Sequence, residues 1–200
     1  YDVGAPVHSC LSDFDTIWMR KDPPVDEAYL HATHILDLAG SKVLTVNAPR
    51  GVRYANEKLY AQHFPQFCPE TLVTRDMNAI RDWLQARSEP LVVKPIDGHG
   101  GRGVFVLHKE DRNSGSILET LSEDGALWVV AQSYLPEARV GDKRIILIDG
   151  EPQGAILRTP QADDHRGNMH VGGRVSHCDL DARDIEICSA LAPRLRADGL

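Results

Sequence analysis

Leu91-Val-Val-Lys94-Pro-Ile-Asp97-Gly98-His99-Gly100-Gly101-Arg102-Gly103-Val104-Phe-Val-Leu107 is the stretch on which the fold turns. A β-branched apolar run leads into a glycine cluster, and a second such run leads out. Gly98, Gly100 and Gly103 satisfy G-x-G-x-x-G literally. In a dinucleotide-binding unit that motif must open a helix whose N-terminus holds the pyrophosphate. Here the strand-like Val104-Phe-Val-Leu107 follows instead. A glycine loop between two strands resembles a flap that folds over nucleotide phosphates, and the plain alternative is a tight hairpin turn. Four glycines in six residues exceed what a hairpin needs, which favours the anion. Glycines let successive N–H groups turn toward it and clear side chains from its path.

Lys94 ends the strand that enters this loop, inside the run Leu91-Val-Val. A lysine there is costly to bury alone, and a phosphate oxygen suits its compact charge. The alternative is a lysine that snorkels out of the sheet edge. Lys58 invites the same argument more weakly, because it falls in a segment (about residues 54–64) read as helix, where most lysines are solvated.

Working outward, residues 14–19 form a short apolar run that the tandem prolines Pro23-Pro24 close. Residues 26–38 carry Ala28, Ala32, Ile35 and Leu36 at helical spacing, with Gly40 as a stop. Val43-Leu-Thr-Val46 then reads as a strand, so the segment resembles the tail of an α/β unit with a parallel sheet. Beyond Pro69 the expected order is a strand over 71–74, a helix over 77–87 and the two strands around the glycine loop. A short helix over 113–122, a strand over 127–131, and runs over 143–148 and 155–158 follow. Asp149-Gly150 between the last two is a strong hairpin signal. Residues 159–177 lack apolar periodicity, which predicts a functional lid or a disordered segment. A helix over about 181–198 ends the chain.

Composition narrows the function classes. A net charge of −7 argues against binding nucleic acid or anionic membrane, since nothing would attract a phosphate polymer. No apolar run nears the roughly 20 residues of a spanning helix, and the N-terminus lacks a signal-peptide layout. Cys10, Cys68, Cys178 and Cys188 show no C-x-x-C spacing, which favours reduced thiols and a cytoplasmic location. His99, His165 and His170 lack metal spacing, and no Ser-His-Asp or Cys-His arrangement is evident. Gln132-Ser133-Tyr134-Leu135 precedes Pro136 and reads as a hinge. Asp142 could accept from ribose hydroxyls and Arg144 could hold a transferring phosphoryl group, the alternative being a solvated turn. Arg158, Arg166, Asn168 and Arg174, with Gly167, Gly172 and Gly173, suit an anionic substrate shielded by a lid.

Together, several blocks resemble bacterial glutathione synthetases, in the same order. They are Met19-Arg-Lys-Asp-Pro-Pro24, Asn56-Glu-Lys58, Pro69-Glu-Thr-Leu-Val-Thr-Arg75, Lys94-Pro-Ile-Asp-Gly-His-Gly-Gly101, Ala131-Gln-Ser-Tyr-Leu-Pro136, Gly141-Asp-Lys-Arg144, Asp149-Gly-Glu-Pro152 and Arg166-Gly-Asn-x-x-x-Gly-Gly-Arg174. The resemblance implies an α/β (α+β) ATP-grasp fold. Residues 1–52 would end a pre-ATP-grasp substrate domain. Residues 53–200 would be an ATP-grasp domain with a lid subdomain over about 66–132 and an incomplete core subdomain over about 133–200. It implies joining of γ-glutamylcysteine to glycine through an acyl phosphate, with release of ADP and phosphate.

By that resemblance Lys58 and Lys94 contact ATP phosphates, and the loop holding Gly98, Gly100, Gly101 and Gly103 closes over them. Gln132, Ser133, Tyr134 and Leu135 meet adenine, with the backbone of Ser133 and Leu135 reading it, and Asp142 meets ribose. Arg144 and Arg158 neutralise the transferred phosphoryl group. Residues 159–175, with Arg166, Asn168, Gly172, Gly173 and Arg174, form the lid over the substrates. The cofactors implied are ATP and Mg²⁺, with Mn²⁺ as a substitute. The expected metal ligands lie beyond residue 200, so no residue of this chain is assigned to metal. Both ends resemble cuts through a longer polypeptide, a homo-oligomer when complete, and the 200-residue piece alone is expected to be inactive. Competing readings are another ATP-grasp carboxylate–amine ligase and a nucleotide-binding module without catalysis. A Rossmann oxidoreductase is disfavoured by the strand after the glycine loop.

Overall fold

A computed structural model of the chain describes residues 4–161 and 172–200. It divides into two compact units, one running to Ala55 and including Arg194–Leu200, the other Asn56–Pro193.

In the first unit, β1 (Thr16–Trp18) and β2 (Leu44–Val46) pair in parallel, Thr16 opposite Leu44. The helix α1 (Glu27–Asp37) connects them, which is the crossover that a parallel pair requires. Asp26 caps α1 by accepting from the Tyr29 amide at 2.9 Å. The short helix α2 (Pro49–Tyr54) starts on a proline, where the missing N–H is harmless. Arg53 on α2 reaches Asp37 at the end of α1 at 2.7 Å, and this bond holds the Asp37 carboxyl below its usual range. Residues near the C-terminus complete the unit. The Ala48 amide donates to the Gly199 carbonyl at 2.8 Å, and a Cβ on Gly51 would collide with the Asp198 carbonyl.

The second unit holds two antiparallel sheets. The first runs in the order β3 (Thr71–Thr74), β6 (Val129–Ser133), β4 (Leu91–Pro95), β5 (Phe105–Leu107). Two helices, α3 (Met77–Gln85) and α4 (Ser114–Ser122), supply the remaining apolar surface. Leu91, Val93, Leu107, Val129 and Ala131 are buried in one cluster with Ile80 and Leu84 of α3 and Leu118 and Leu121 of α4. Strand residues alternate faces, so Thr71, Val92, Lys94, Val130 and Gln132 share the opposite face. That alternation places the lysine away from the apolar core.

The second sheet is β7 (Asp142–Ile148), β8 (Glu151–Thr159) and β9 (Arg174–Cys178). Asp149 and Gly150 take φ of +49° and +75°, the pair of left-handed residues that a two-residue hairpin needs. The last helix is α5 (Ala182–Asp198), and Pro193 removes one hydrogen bond from its interior. Lys143 of β7 bonds Asp181 at 3.1 Å and also Asp184. These bonds raise the Lys143 pKa, Asp184 contributing most.

One expectation is corrected. No α-helix covers 54–64. Instead α2 ends at Tyr54 and 3₁₀ turns follow at Tyr60–His63 and Pro65–Phe67. The Asn56 side chain accepts from the Lys58 and Leu59 amides at 3.0 and 3.2 Å, and this local turn displaces a helix. Within 159–177, Thr159 ends β8 and pairs with Arg174 of β9. The strand β9 is largely exposed, so its polar sequence carried no alternation to detect.

Leu118 is fully buried between the two helices and the sheet. Leu118→Ala is expected to cost about 2–5 kcal/mol of folding free energy by the cavity it leaves. Urea unfolding with an unchanged m-value checks this, and a cost below about 1 kcal/mol would show that the cluster is not the core.

Candidate functional site

The glycine loop between β4 and β5 must be built of glycine at specific points. Gly100, Gly101 and Gly103 take φ of +61°, +80° and +68°, a region closed to most side chains. A Cβ on Gly98 would lie 2.7 Å from Pro95 Cγ, so the chain can run close to Pro95 only without a side chain there. The Arg102 amide closes the turn by donating to the His99 carbonyl at 3.2 Å.

Lys58 holds this loop. The Asn56 turn directs its side chain inward, and only 10% of that side chain is exposed. Its ammonium donates to the Ile96 carbonyl at 2.9 Å, to the Gly98 carbonyl, and to Glu57 Oε1 at 2.8 Å. Three donors thus meet three acceptors. The sequence named Lys58 as a phosphate contact within the Asn56-Glu57-Lys58 block but gave Glu57 no role.

Lys94 lies near enough to feel the Lys58 and Glu57 charges, without the same partners among the described residues. Burial pushes its pKa down from the ordinary 10.5, and the nearby Lys58 charge pushes it further. Glu57 and Cys68 act in the opposite direction. Two lysines and one carboxylate leave this partly desolvated place with excess positive charge, which is the condition for anion binding. Cys68 was not singled out by its sequence position. Burial pushes its thiol pKa up while Lys94 pulls it down, and its Sγ–H points to the Ala61 carbonyl at 3.2 Å.

Gln132 lies on the Lys94 face of the same sheet, and its side chain donates to Thr71 Oγ1 at 2.9 Å. The Ser133 amide donates to the Glu70 carbonyl at 3.0 Å and the Tyr134 amide to the Pro90 carbonyl at 3.1 Å. Those two amides are committed to the sheet. Leu135 lies half exposed just beyond them, and its carbonyl accepts from Ala138 at 3.1 Å.

Asp142 and Arg158 stand opposite each other in β7 and β8. Arg158 Nε and one terminal nitrogen both donate to Asp142 Oδ1, at 2.6 and 2.5 Å. The side chains first read as separate contacts are one ion pair. Arg144 is two residues along β7 on the same face, exposed. By register, Arg174 falls on the other face, opposite Thr159 rather than Arg158. The Gly172 carbonyl accepts from Gln161 Nε2 at 3.0 Å, and Gly173 links it to β9. Arg166 and Asn168 lie outside the described residues.

Comparison with known proteins supplies the family. Residues 57–200 match the model of the prokaryotic glutathione synthetase ATP-grasp domain, and residues 1–53 match that of its N-terminal domain. The chain belongs to the prokaryotic glutathione synthetase family. It is 48% identical to a glutathione synthetase of Thermosynechococcus vestitus over all of this chain and 63% of the relative. The corresponding figures for the glutathione synthetase of Brucella melitensis are 44%, 100% and 64%. The chain therefore spans somewhat under two thirds of these relatives. D-cycloserine synthetase DcsG shares the fold, with a TM-score of 0.73 at 19% identity over 96% of this chain and 69% of that one. An ATP-grasp RimK domain protein from Sphaerobacter thermophilus does so with a TM-score of 0.63 at 18% identity, over 93% and 64%. The ATP-grasp fold in this family is thus shown by sequence and by structure.

Lys94 yields a test of the charge argument. The unfolded chain binds the Lys94 proton more tightly than the folded one, so stability rises with pH through the folded-state pKa. Lys94→Met is expected to raise the thermal midpoint at neutral pH, to flatten its rise toward alkaline pH, and to weaken nucleotide binding. Thermal unfolding at neutral and alkaline pH measures this, and an unaltered pH slope would show that the amine is not desolvated.

Proposed function

We propose that the protein carrying this chain joins γ-glutamylcysteine to glycine with cleavage of ATP, forming glutathione, ADP and phosphate. The observation that carries this reading is Lys58 bonded to the glycine loop, with the partly buried Lys94 close enough to feel its charge. The sequence relatives are named for this activity.

A carboxylate is a poor electrophile, so the dipeptide carboxylate first takes the γ-phosphoryl group of ATP and ADP leaves. The glycine amine then attacks the acyl phosphate carbon, a tetrahedral oxyanion forms, and phosphate departs. Lys58 and Lys94 hold the nucleotide phosphates. For Lys58 this means exchanging a loop carbonyl for a phosphate oxygen, which couples nucleotide arrival to loop position. Arg144 and Arg158 offset charge on the transferred group. Both Arg158 bonds fall on Asp142 Oδ1, so Oδ2 remains to accept from a ribose hydroxyl. Leu135 and the Ser133 carbonyl meet the base, and residues 159–175 with Arg166, Asn168, Gly172, Gly173 and Arg174 shield the acyl phosphate from water. No side-chain nucleophile is needed.

Among the described residues no group of three or more His, Cys, Asp or Glu could hold a metal ion. The ATP-grasp ligase PsnB has been solved with Mg and ADP. The metal proposed is Mg²⁺, with Mn²⁺ as a substitute, and no described residue and no step here is assigned to it. No described helix is long and apolar enough to cross a membrane. We place the protein in the cytoplasm as a homo-oligomer. Residues 1–52 then end the substrate domain, about 66–132 form the lid subdomain, and about 133–200 belong to the core.

ADP release by the protein carrying this chain is expected to need both γ-glutamylcysteine and glycine. Arg158→Ala is expected to lower kcat by about 100- to 1,000-fold, as for loss of one donor to a developing charge. ADP release with other amino acids but not glycine would instead mark another carboxylate–amine ligase. ATP binding without any ADP release would mark a non-catalytic module.

A further inference from the structure

Thr71 and Gln132 face one another in register across β3 and β6, on the sheet face that carries Lys94. Gln132 Nε2 donates to Thr71 Oγ1 at 2.9 Å, and Thr71 Oγ1 donates to the Pro69 carbonyl at 2.7 Å. The direction of this relay is forced. A hydroxyl has one proton, and a carbonyl can only accept. Once Thr71 gives its proton to Pro69, only a lone pair is left for Gln132. The amide must therefore turn its NH₂ toward Thr71 and its carbonyl Oε1 away, because the flipped amide would set two acceptors against each other. Among the described residues Oε1 accepts no hydrogen bond, and it is not sealed from solvent.

Gln132 also stands where a nucleotide held by Lys94 would pass. Lys94 pairs with Val130, and Gln132 lies two residues along the same strand face, about 7 Å away. The Ser133 and Tyr134 amides beyond it are taken by Glu70 and Pro90. The side-chain carbonyl of Gln132 is thus a fixed acceptor in a stretch whose next two backbone donors are engaged.

We propose that Thr71 is a positioning residue that locks Gln132 as an acceptor, and that this acceptor selects a purine with an amino group at its six-position over one with an oxygen there. An exocyclic amine donates to Oε1. A six-oxo group meets it acceptor to acceptor and leaves both unpaired. The inference rests on the nucleotide reading of the site. A free amide would rotate to suit either base, so the selectivity resides in the Pro69–Thr71–Gln132 relay rather than in Gln132 alone.

The test is calorimetric titration of the protein carrying this chain with ATP and with inosine triphosphate. The parent protein is expected to prefer ATP by about tenfold or more, the value of one donor–acceptor match against a mismatch. Thr71→Val keeps the shape but frees the amide, and is expected to bring the ratio of the two Kd values close to one. Thr71→Ser keeps the hydroxyl and is expected to restore the preference. Both ligands report on the same folded molecules, so partial unfolding does not move the ratio. A Thr71→Val protein with the parent ratio overturns the inference, as does a parent protein that binds both nucleotides equally, while the nucleotide reading stands. A parent protein that binds neither nucleotide overturns both.

Discussion

The site depends on the ammonium group of Lys58. It is nearly buried, yet its charge is met by one carboxylate and two carbonyls of a loop about forty residues away in sequence. A lysine held this way is a clamp as well as a charge. It ties down the glycine loop, and its charge adds to burial in pushing the Lys94 pKa down. Among the described residues Lys94 has no comparable set of acceptors, so the low dielectric around it favours loss of its proton. The folded protein carries that electrostatic cost.

Around this clamp, both sheets divide their labour by face. In the β3-β6-β4-β5 sheet one face is sealed by α3 and α4, and the alternation of the pleat gives Lys94, Thr71 and Gln132 to the other. Packing on the apolar face thereby determines where the polar groups stand. In the β7-β8-β9 sheet the same rule puts Asp142, Arg144 and Arg158 on a common face. Lys143, on the opposite side, is tied to the start of α5 through Asp181 and Asp184. The pair Asp142–Arg158 is a bidentate-donor contact on a single oxygen. It preorganises the guanidinium and still leaves a carboxylate oxygen for a second partner.

Much of the fold was legible because its signals are local. The strand–glycine–strand run, the Asp149-Gly150 hairpin, the helices over α1, α3, α4 and α5 and the parallel pairing of β1 with β2 all follow from periodicity and turn chemistry. The 3₁₀ turns that replace the helix expected over 54–64 were not legible. Asn56 competes for the backbone through its side chain, and no apolar stripe arbitrates there. The strand β9 was hidden for the opposite reason, since an exposed edge strand needs no alternating pattern.

By itself the sequence determined which residues were available for chemistry: a glycine loop between strands, a lysine in an apolar run, and ordered blocks that resemble one family. Tertiary structure alone decided which of them act together. Lys58 meets the loop, Glu57 tempers both lysines, Asp142 and Arg158 become one pair, Arg174 turns to the far face, and Thr71 dictates the orientation of Gln132. Apart from the adjacent Glu57–Lys58 pair, these are contacts between residues far apart in the chain or set by strand register. Hydrophobic periodicity does not encode them, because it reports which face is buried and not what stands across from it.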